Sequence, residues 1–226
     1  MIIFYNSLTN FHQIMKTIAL FGASGRTGKP LIALLLSKGY TVKALVRNPQ
    51  SITTKHTQLQ LMKGNILNAS DVETVVQGVD AVVSVIGHVK GDAQSPMVQT
   101  EGTAHILSAM QKHGVKRIIS LTGGAVPYSK DQPKFPDKAI KFIMNLVAKE
   151  TLNDAIAHAE KIAKSGTAWT VVRGPRLLEK PPVGSYRVGF VGVNASTAIT
   201  YGDLAQFIAD ELEQGKHIHS MPFVSH

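Results

Sequence analysis

The chain has 226 residues, a length that one open α/β domain can use without a second core. Hydrophobic residues make up 44% and charged residues 17%, which excludes disorder, collagen and a fibrous coiled coil. No cysteine is present, which excludes disulfides, thiolate catalysis and Cys-ligated metals; the formal charge of +9 favours anionic partners such as nucleotides, nucleic acid or membrane surfaces without choosing among them.

Residues 1–15 read as an N-terminal extension of uncertain structure, either an upstream segment or an added terminal strand or helix. Met1-Ile2-Ile3-Phe4-Tyr5 lacks a basic stretch, Asn6 to Gln13 lacks the apolar run and cleavage site of a secretory signal, and no run of about 18 apolar residues occurs. A soluble, cytoplasmic protein is the expectation. From Thr17 onward strands and helices alternate. Thr17-Ile18-Ala19-Leu20-Phe21 is a short apolar run ending in Gly22, helical periodicity runs from Gly28 to Gly39, and Tyr40 to Val46 resumes as a buried strand. The pattern repeats with strand Leu59–Lys63, helix Ser70–Gln77, strand Ala81–Ile86, helix Met97–Lys112 and strand Arg117–Leu121, each strand apolar on both sides. Val126–Asp137 is the one long loop, of a size that is often functional. One helical stretch over 138–165 then leads to strand Ala168–Arg173 and the Pro181-Pro182 break. Beyond it Ser185–Val193 alternates like a strand, Asp203–Leu212 has a helical pattern and Ile218–Val224 can close the sheet. This order predicts an α/β fold over residues 16–226: a single-domain, doubly wound, mostly parallel sheet of the Rossmann type with helices on both faces. Its C-terminal part would form the substrate site.

Gly22-Ala23-Ser24-Gly25-Arg26-Thr27-Gly28 is the strongest chemical signal, placed where a buried strand meets a helix. Glycines there permit a tight turn, and the helix N-terminus turns unpaired amides toward an anion, so the segment reads as the seat of a dinucleotide pyrophosphate. A purely structural glycine turn is the competing reading. Gly28-Lys29 does not complete a P-loop, because Ala23 and Pro30 stand where Gly and Ser or Thr are required. At the end of the second strand, Val46-Arg47-Asn48 offers a guanidinium where an NAD-selective fold has an acid for the ribose 2′-hydroxyl. Arg47, with Arg26 clamping from another side, can pair with a 2′-phosphate, which favours NADP(H) over NAD(H); otherwise one or both arginines are merely solvated. Gly64-Asn65-Ile66 and Ile86-Gly87-His88 follow the third and fourth strands, at carboxyl ends where open α/β sheets bind ligands. Asn65 can hydrogen-bond the adenine amino group, and His88 can face the ribose or be a plain surface residue.

A proton-donating Tyr with its Lys needs the two at i and i+4 on one helix face, and no Tyr here has a Lys four residues later. Tyr128-Ser129-Lys130 has the wrong spacing. No residue is therefore assigned as catalytic, and Thr122, Tyr128 and Arg176 are candidates for the substrate site. Thr122-Gly123-Gly124 leaves space for a flat ring and places a hydroxyl near the nicotinamide, unless that turn is structural; Gly174-Pro175-Arg176 forms the opposite rim. Thr122, Gly123 and Pro175 thereby count as coenzyme contacts as well. His217-Ile218-His219 can set two rings on one strand face, but without a third ligand no metal site is expected. Glu150, Asp154 and Glu160 read as solvated or capping groups, and Lys134, Lys138, Lys141 and Lys149 as a wet face rather than a nucleic-acid stripe.

With these segments, Leu45-Val46-Arg47 and the run Ser165-Gly166-Thr167-Ala168-Trp169-Thr170-Val171-Val172-Arg173, the chain resembles the atypical short-chain dehydrogenase/reductases. More narrowly it resembles the NAD(P)H-binding group of NmrA-like proteins and flavin reductase/biliverdin-IXβ reductase. The resemblance runs from residue 16 to the C-terminus and includes Glu160–Arg173 and the strand start Gly184-Ser185-Tyr186. Asn65 stands where the family often has Asp, and Gly123 and Arg176 stand where the flavin and biliverdin reductases have Ser and His. That departure argues against biliverdin and leaves Arg176 for an anionic or flavin-like substrate. Together the glycine loop, the arginine pair and the resemblance imply an NADPH-dependent oxidoreductase that passes hydride directly to a flavin, quinone or similar conjugated molecule. Such a ring accepts hydride once stacked on the nicotinamide, so orientation does most of the work. The alternative is a non-catalytic NAD(P)-binding redox sensor of NmrA-like type with a protein partner. Sugar epimerisation or dehydration ranks below both, since it uses the missing Tyr–Lys pair. The expected partner is a small-molecule acceptor, with neither membrane nor nucleic acid.

Overall fold

In β1 (Thr17–Phe21) successive side chains alternate across the sheet, Ile18 and Leu20 on one face and Ala19 and Phe21 on the other, and both faces are buried. A strand apolar on both sides needs helices above and below. α1 (Gly28–Ser37) supplies Leu31 and Leu35 to the first face, while α2 (Ala69–Val76) and α3 (Val98–His113) supply Val72, Val75, Ile106 and Met110 to the second. The computed structural model describes residues 16–88 and 96–226; the expected extension over 1–15 lies outside the described residues.

The other strands are β2 (Thr41–Val46), β3 (Leu59–Lys63), β4 (Ala81–Ser84), β5 (Arg117–Gly123), β6 (Ala168–Gly174), β7 (Arg176–Leu178), β8 (Arg187–Gly189), β9 (Ala198–Thr200) and β10 (Phe223–Ser225). Helices α4 (Phe135–Val147) and α5 (Lys149–Ala163) lie between β5 and β6, and α6 (Tyr201–Gln214) follows β9. Eight strands form one sheet in the order β3-β2-β1-β4-β5-β6-β10-β8, with β8 antiparallel to β10 and the other pairs parallel. Chain order runs outward from the β1–β4 pair to β3 on one side and through β5 and β6 to β10 on the other, where β8 then forms the edge. The connections therefore leave toward opposite faces there and open a crevice at the carboxyl ends of β1 and β4.

Four local expectations change. The helix over 138–165 is two helices, because Ala148 takes φ −144° and ψ 39°, outside the helical region, and α4 already begins at Phe135, inside the expected loop. The strand over 218–224 shrinks to β10: His219 has a left-handed φ of 56°, and Ser220 makes a single bridge to Thr170. Ser185–Val193 keeps only β8, after which Gly192 at φ 80° and Asn194 at φ 49° turn the chain back. β3 is half-buried to exposed as an edge strand rather than apolar on both sides, and the short ribbon of β7 with β9 was not expected.

Candidate functional site

The crevice begins where β1 ends. Gly22 has φ +84°, and a Cβ on it would lie 2.7 Å from the Val85 carbonyl; a Cβ on Gly28 would lie 2.2 Å from the Gly22 oxygen. Only glycine fits either place. The turn is closed by Gly25 N–H donating to Gly22 O at 3.0 Å, and α1 starts without a side-chain cap or an acid in its first turn. Ser24, Gly25 and Arg26 are exposed at that uncapped end, while Ala23, Thr27 and Gly28 are buried beneath it. Amides left unpaired at a helix start suit an anion.

Two cavities flank this loop. The smaller, about 160 Å³, is lined by Gly22, Ser24, Gly25, Leu45, Val46, Arg47, Gly64, Asn65, Ile66, Ile86, Gly87 and His88. Asn65 turns its Oδ1 back to accept from Leu67 N–H at 3.1 Å, so an adenine amino group would share that acceptor. Its own N–H donates to Asp71 Oδ2 at 2.8 Å. A Cβ on Gly64 would meet Asp71 Oδ2 and Leu45 at 2.8 Å, which is why the strand end passes so close to α2. Asp71 was not singled out from sequence, although its place three residues after the Asn68 cap of α2 was a readable signal.

The larger cavity, about 700 Å³, runs from Ser24–Thr27 past His88 and Gln99 to Leu121, Thr122, Gly123, Gly174, Pro175 and Tyr201. Arg26 lies on this side, its guanidinium carbon 5.0 Å from the centre of the Tyr201 ring. Arg26 and Arg47 thus line different cavities and are not brought to one point. Among the described residues, the buried side-chain polar atoms without a hydrogen-bond partner are Gln99 Oε1 and Thr122 Oγ1, both in residues of this wall. Unmet polar capacity inside a cleft is a place for a ligand's own polar groups.

The cleft continues into a third space of about 470 Å³ walled by Gly123, Gly124, Val126, Leu152, Ala155, Pro175, Arg176, Val191 and Phe223, with Ile140 of α4 above it. Tyr128 does not line any of the three; its ring sits 5.4 Å from the Arg173 guanidinium carbon and 5.8 Å from the Phe190 ring. Lys134, Lys138 and Lys149 are exposed, but α4 is not a uniformly polar face, since Phe135, Phe142, Ile143, Leu146 and Val147 are exposed beside them; the Lys141 side chain lies outside the described residues.

Sequence reasoning also passed over what α5 contributes. Of the two readings of Asp154, solvated or capping, the second holds: it is fully buried, its Oδ1 accepts from Thr100 N–H at 2.8 Å and its Oδ2 from Gln99 N–H at 2.9 Å, capping not its own helix but α3. The same Oδ2 lies 2.8 Å from His88 Nε2. One turn along, His158 is buried between Thr103 Oγ1 at 2.7 Å and Ser120 Oγ at 3.1 Å, and burial pushes its pKa down to about 4. The i, i+4 spacing of Asp154 and His158 was a readable signal that both face the same neighbours. Glu150 and Glu160 are exposed, as expected. His217 and His219 do not share a strand face: the first binds Glu211 Oε2 at 2.7 Å and the second meets Thr167 O at 3.0 Å, within a turn. Among the described residues no three His, Asp or Glu side chains cluster as metal ligands.

A family model described as NAD(P)H-binding matches residues 22–215. An uncharacterized chloroplastic protein of Arabidopsis thaliana is 32% identical over 182 residues, 75% of this chain and 62% of that protein. The chain spans less than two thirds of the length of this and the next curated relatives. A short-chain dehydrogenase/reductase of Veillonella parvula, solved in complex with NADP, superposes with a TM-score of 0.77 at 16% identity, over 94% of this chain and 95% of that one. An anaerobillin reductase of Escherichia coli O157:H7 superposes with a TM-score of 0.76 at 15% identity, over 93% and 97%. At such identities the two structures speak for the fold alone.

Proposed function

Since the chain belongs to the NAD(P)H-binding family of Rossmann proteins, we propose that it is an NADPH-dependent reductase that passes hydride directly to a flavin, quinone or similar conjugated molecule. The observation that carries this reading is the continuity of the cleft: the glycine loop opens into a wall with unpartnered Gln99 and Thr122 atoms, and that wall opens into a largely apolar chamber. A ring lying in the chamber would be held flat by Gly123, Gly124 and Pro175, with water kept away by Val126, Leu152 and Phe223.

The residues fit the coenzyme. The Ser24–Thr27 turn and the start of α1 would hold the pyrophosphate, and Gly22 and Gly28 admit no side chain that would crowd it. Arg47 lines the smaller cavity, where a 2′-phosphate would meet a guanidinium rather than a carboxylate, and this supports NADPH over NADH. Thr122 and Gln99 supply a hydroxyl and an amide for the nicotinamide carboxamide. When bound, the reduced nicotinamide supplies the hydride. Arg176, exposed at the chamber rim, offers charge to an anionic group of the acceptor.

The test is NADPH consumption by the purified protein with FMN, riboflavin and simple quinones, each at saturating coenzyme. Turnover with at least one, faster with NADPH than with NADH, is expected. Tight coenzyme binding with no turnover on any acceptor would reject the reductase and leave a sensor.

A further inference from the structure

The acceptor that takes a hydride also gains a negative charge, and the Tyr–Lys pair that would quench it is missing. We propose that His88, held by the buried Asp154, is the proton donor of this site; the proposal rests on the reductase reading above. His88 lines both the loop-side cavities and is part-exposed between them; it does not line the chamber itself, but the larger cavity shares Gln99, Gly123, Gly174 and Pro175 with the chamber, so an acceptor reaching the nicotinamide would extend toward His88 there. Asp154 has no exposed surface, and backbone N–H groups of Gln99 and Thr100 fix its two oxygens. Backbone amides only donate, so both oxygens are acceptors, and the imidazole nitrogen 2.8 Å from Oδ2 carries a hydrogen. Asp154 thus sets the ring with Nε2–H toward itself and leaves Nδ1 for the second proton. His158 is no rival, because both of its nitrogens are engaged inside the core by Thr103 and Ser120.

The balance is simple. The reduced coenzyme gives one hydride, two electrons with one hydrogen, to a carbon or nitrogen of the conjugated ring, and leaves oxidised. The charge appearing on the acceptor's oxygen or nitrogen takes the Nδ1 proton of the His88 imidazolium, leaving the neutral Nε2–H ring on Asp154, and solvent returns a proton to Nδ1. The acceptor leaves with two electrons and two hydrogens more. His88 is a catalytic residue in this scheme and Asp154 a positioning residue.

Two acceptors separate proton donation from hydride delivery in the full chain. Menadione must gain a proton when it takes hydride, whereas the N-methylphenazinium cation becomes neutral by hydride alone. In His88→Gln the ratio of menadione to phenazinium turnover, both read at saturating NADPH, is expected to fall about tenfold or more, with partial recovery in imidazole buffer. A second readout needs no coenzyme: long-range proton–nitrogen NMR of histidine-labelled protein should show His88 as the Nε2–H tautomer, and Asp154→Asn should lose that preference. His88→Gln leaves the α3 cap intact, so it decides the matter even if Asp154→Asn does not fold. An unchanged ratio in His88→Gln, with the native protein active on both acceptors, overturns the proton role alone. An Nδ1–H tautomer in the native protein overturns it as well. Native protein inactive on both acceptors overturns the reductase reading and this inference with it.

Discussion

Arg47 stands exposed at the carboxyl end of β2, where, on the proposed reading, the charge of one side chain would choose between two coenzymes that differ by one phosphate. Arg47→Ala is expected to weaken NADPH by about 1–3 kcal/mol, the worth of a charge-assisted hydrogen bond, and NADH much less. Calorimetric titration with both coenzymes checks it, and equal weakening would remove the preference. His158 makes a prediction of a different kind. Burial, opposed by the charge of Asp154, lowers its pKa from 6.5 to about 4. Between those values the unfolded chain binds a proton that the folded chain refuses, so acid favours unfolding. The contribution of the neutral ring is complete above the unfolded pKa and is lost by about 3 kcal/mol as pH falls to the folded one. Urea unfolding of the native protein and of His158→Gln, compared from about pH 7 to pH 4, should show the native curve losing roughly that much more stability. Parallel curves would mean that the ring titrates normally.

At the scale of elements, what could be read from sequence was whatever repeats locally. β1, β4, β5 and β6 are largely buried on both faces, so each appears as a mainly apolar run, and the glycine loop stands out because only glycine fits at Gly22 and Gly28. The split between α4 and α5 leaves no such trace: Ala148 is a good helix former, and its non-helical dihedrals run against its own propensity. β7 and β9 are three residues each, too short for a period of two to register. The site was legible for the same reason and illegible for the complementary one. Its coenzyme half lies on successive strand ends, whereas the His88–Asp154 contact joins residues 66 apart, one in the chain after β4 and the other on α5. Thr200 illustrates an element whose start is chemically specified. Its Oγ1 accepts from Asp203 N–H at 3.0 Å to cap α6, and the Asp203 carboxylate in turn accepts from Val183 and Gly184 N–H and meets His226. Thr200→Ala should cost about 1 kcal/mol in denaturant unfolding, and Thr200→Ser, which keeps the oxygen, should cost less. A larger loss in Thr200→Ser than in Thr200→Ala would show that the cap is not what holds the helix start.

Across the whole molecule, the sheet that carries the cleft is tied by buried charge at both of its ends. Near the start of β5, Arg117 reaches Glu211 of α6 at 2.9 Å and also donates to the Ala168 carbonyl. At the other end Arg173 of β6, with no exposed surface, binds Asp131 through two hydrogen bonds of 2.7 Å and donates to the carbonyls of Val126 and Met221. Asp131 also accepts from the N–H groups of Tyr128 and Val191, so one carboxylate gathers the chain after β5 and the chain after β8 around the apolar chamber. A paired charge in the interior is worth little relative to a hydrophobic substitute, but an orphaned one is costly. Asp131→Ala is therefore expected to lose about 3–5 kcal/mol in equilibrium unfolding and to loosen the chamber, because Arg173 is left buried and unpaired. Arg173→Met in the Asp131→Ala background should recover part of that loss, giving a favourable coupling in the double-mutant cycle. Additive losses would mean that the two residues stabilise the wall independently, through backbone contacts rather than through each other. Salt is expected to leave the single-variant loss nearly unchanged, since ions screen a buried pair far less than an exposed one.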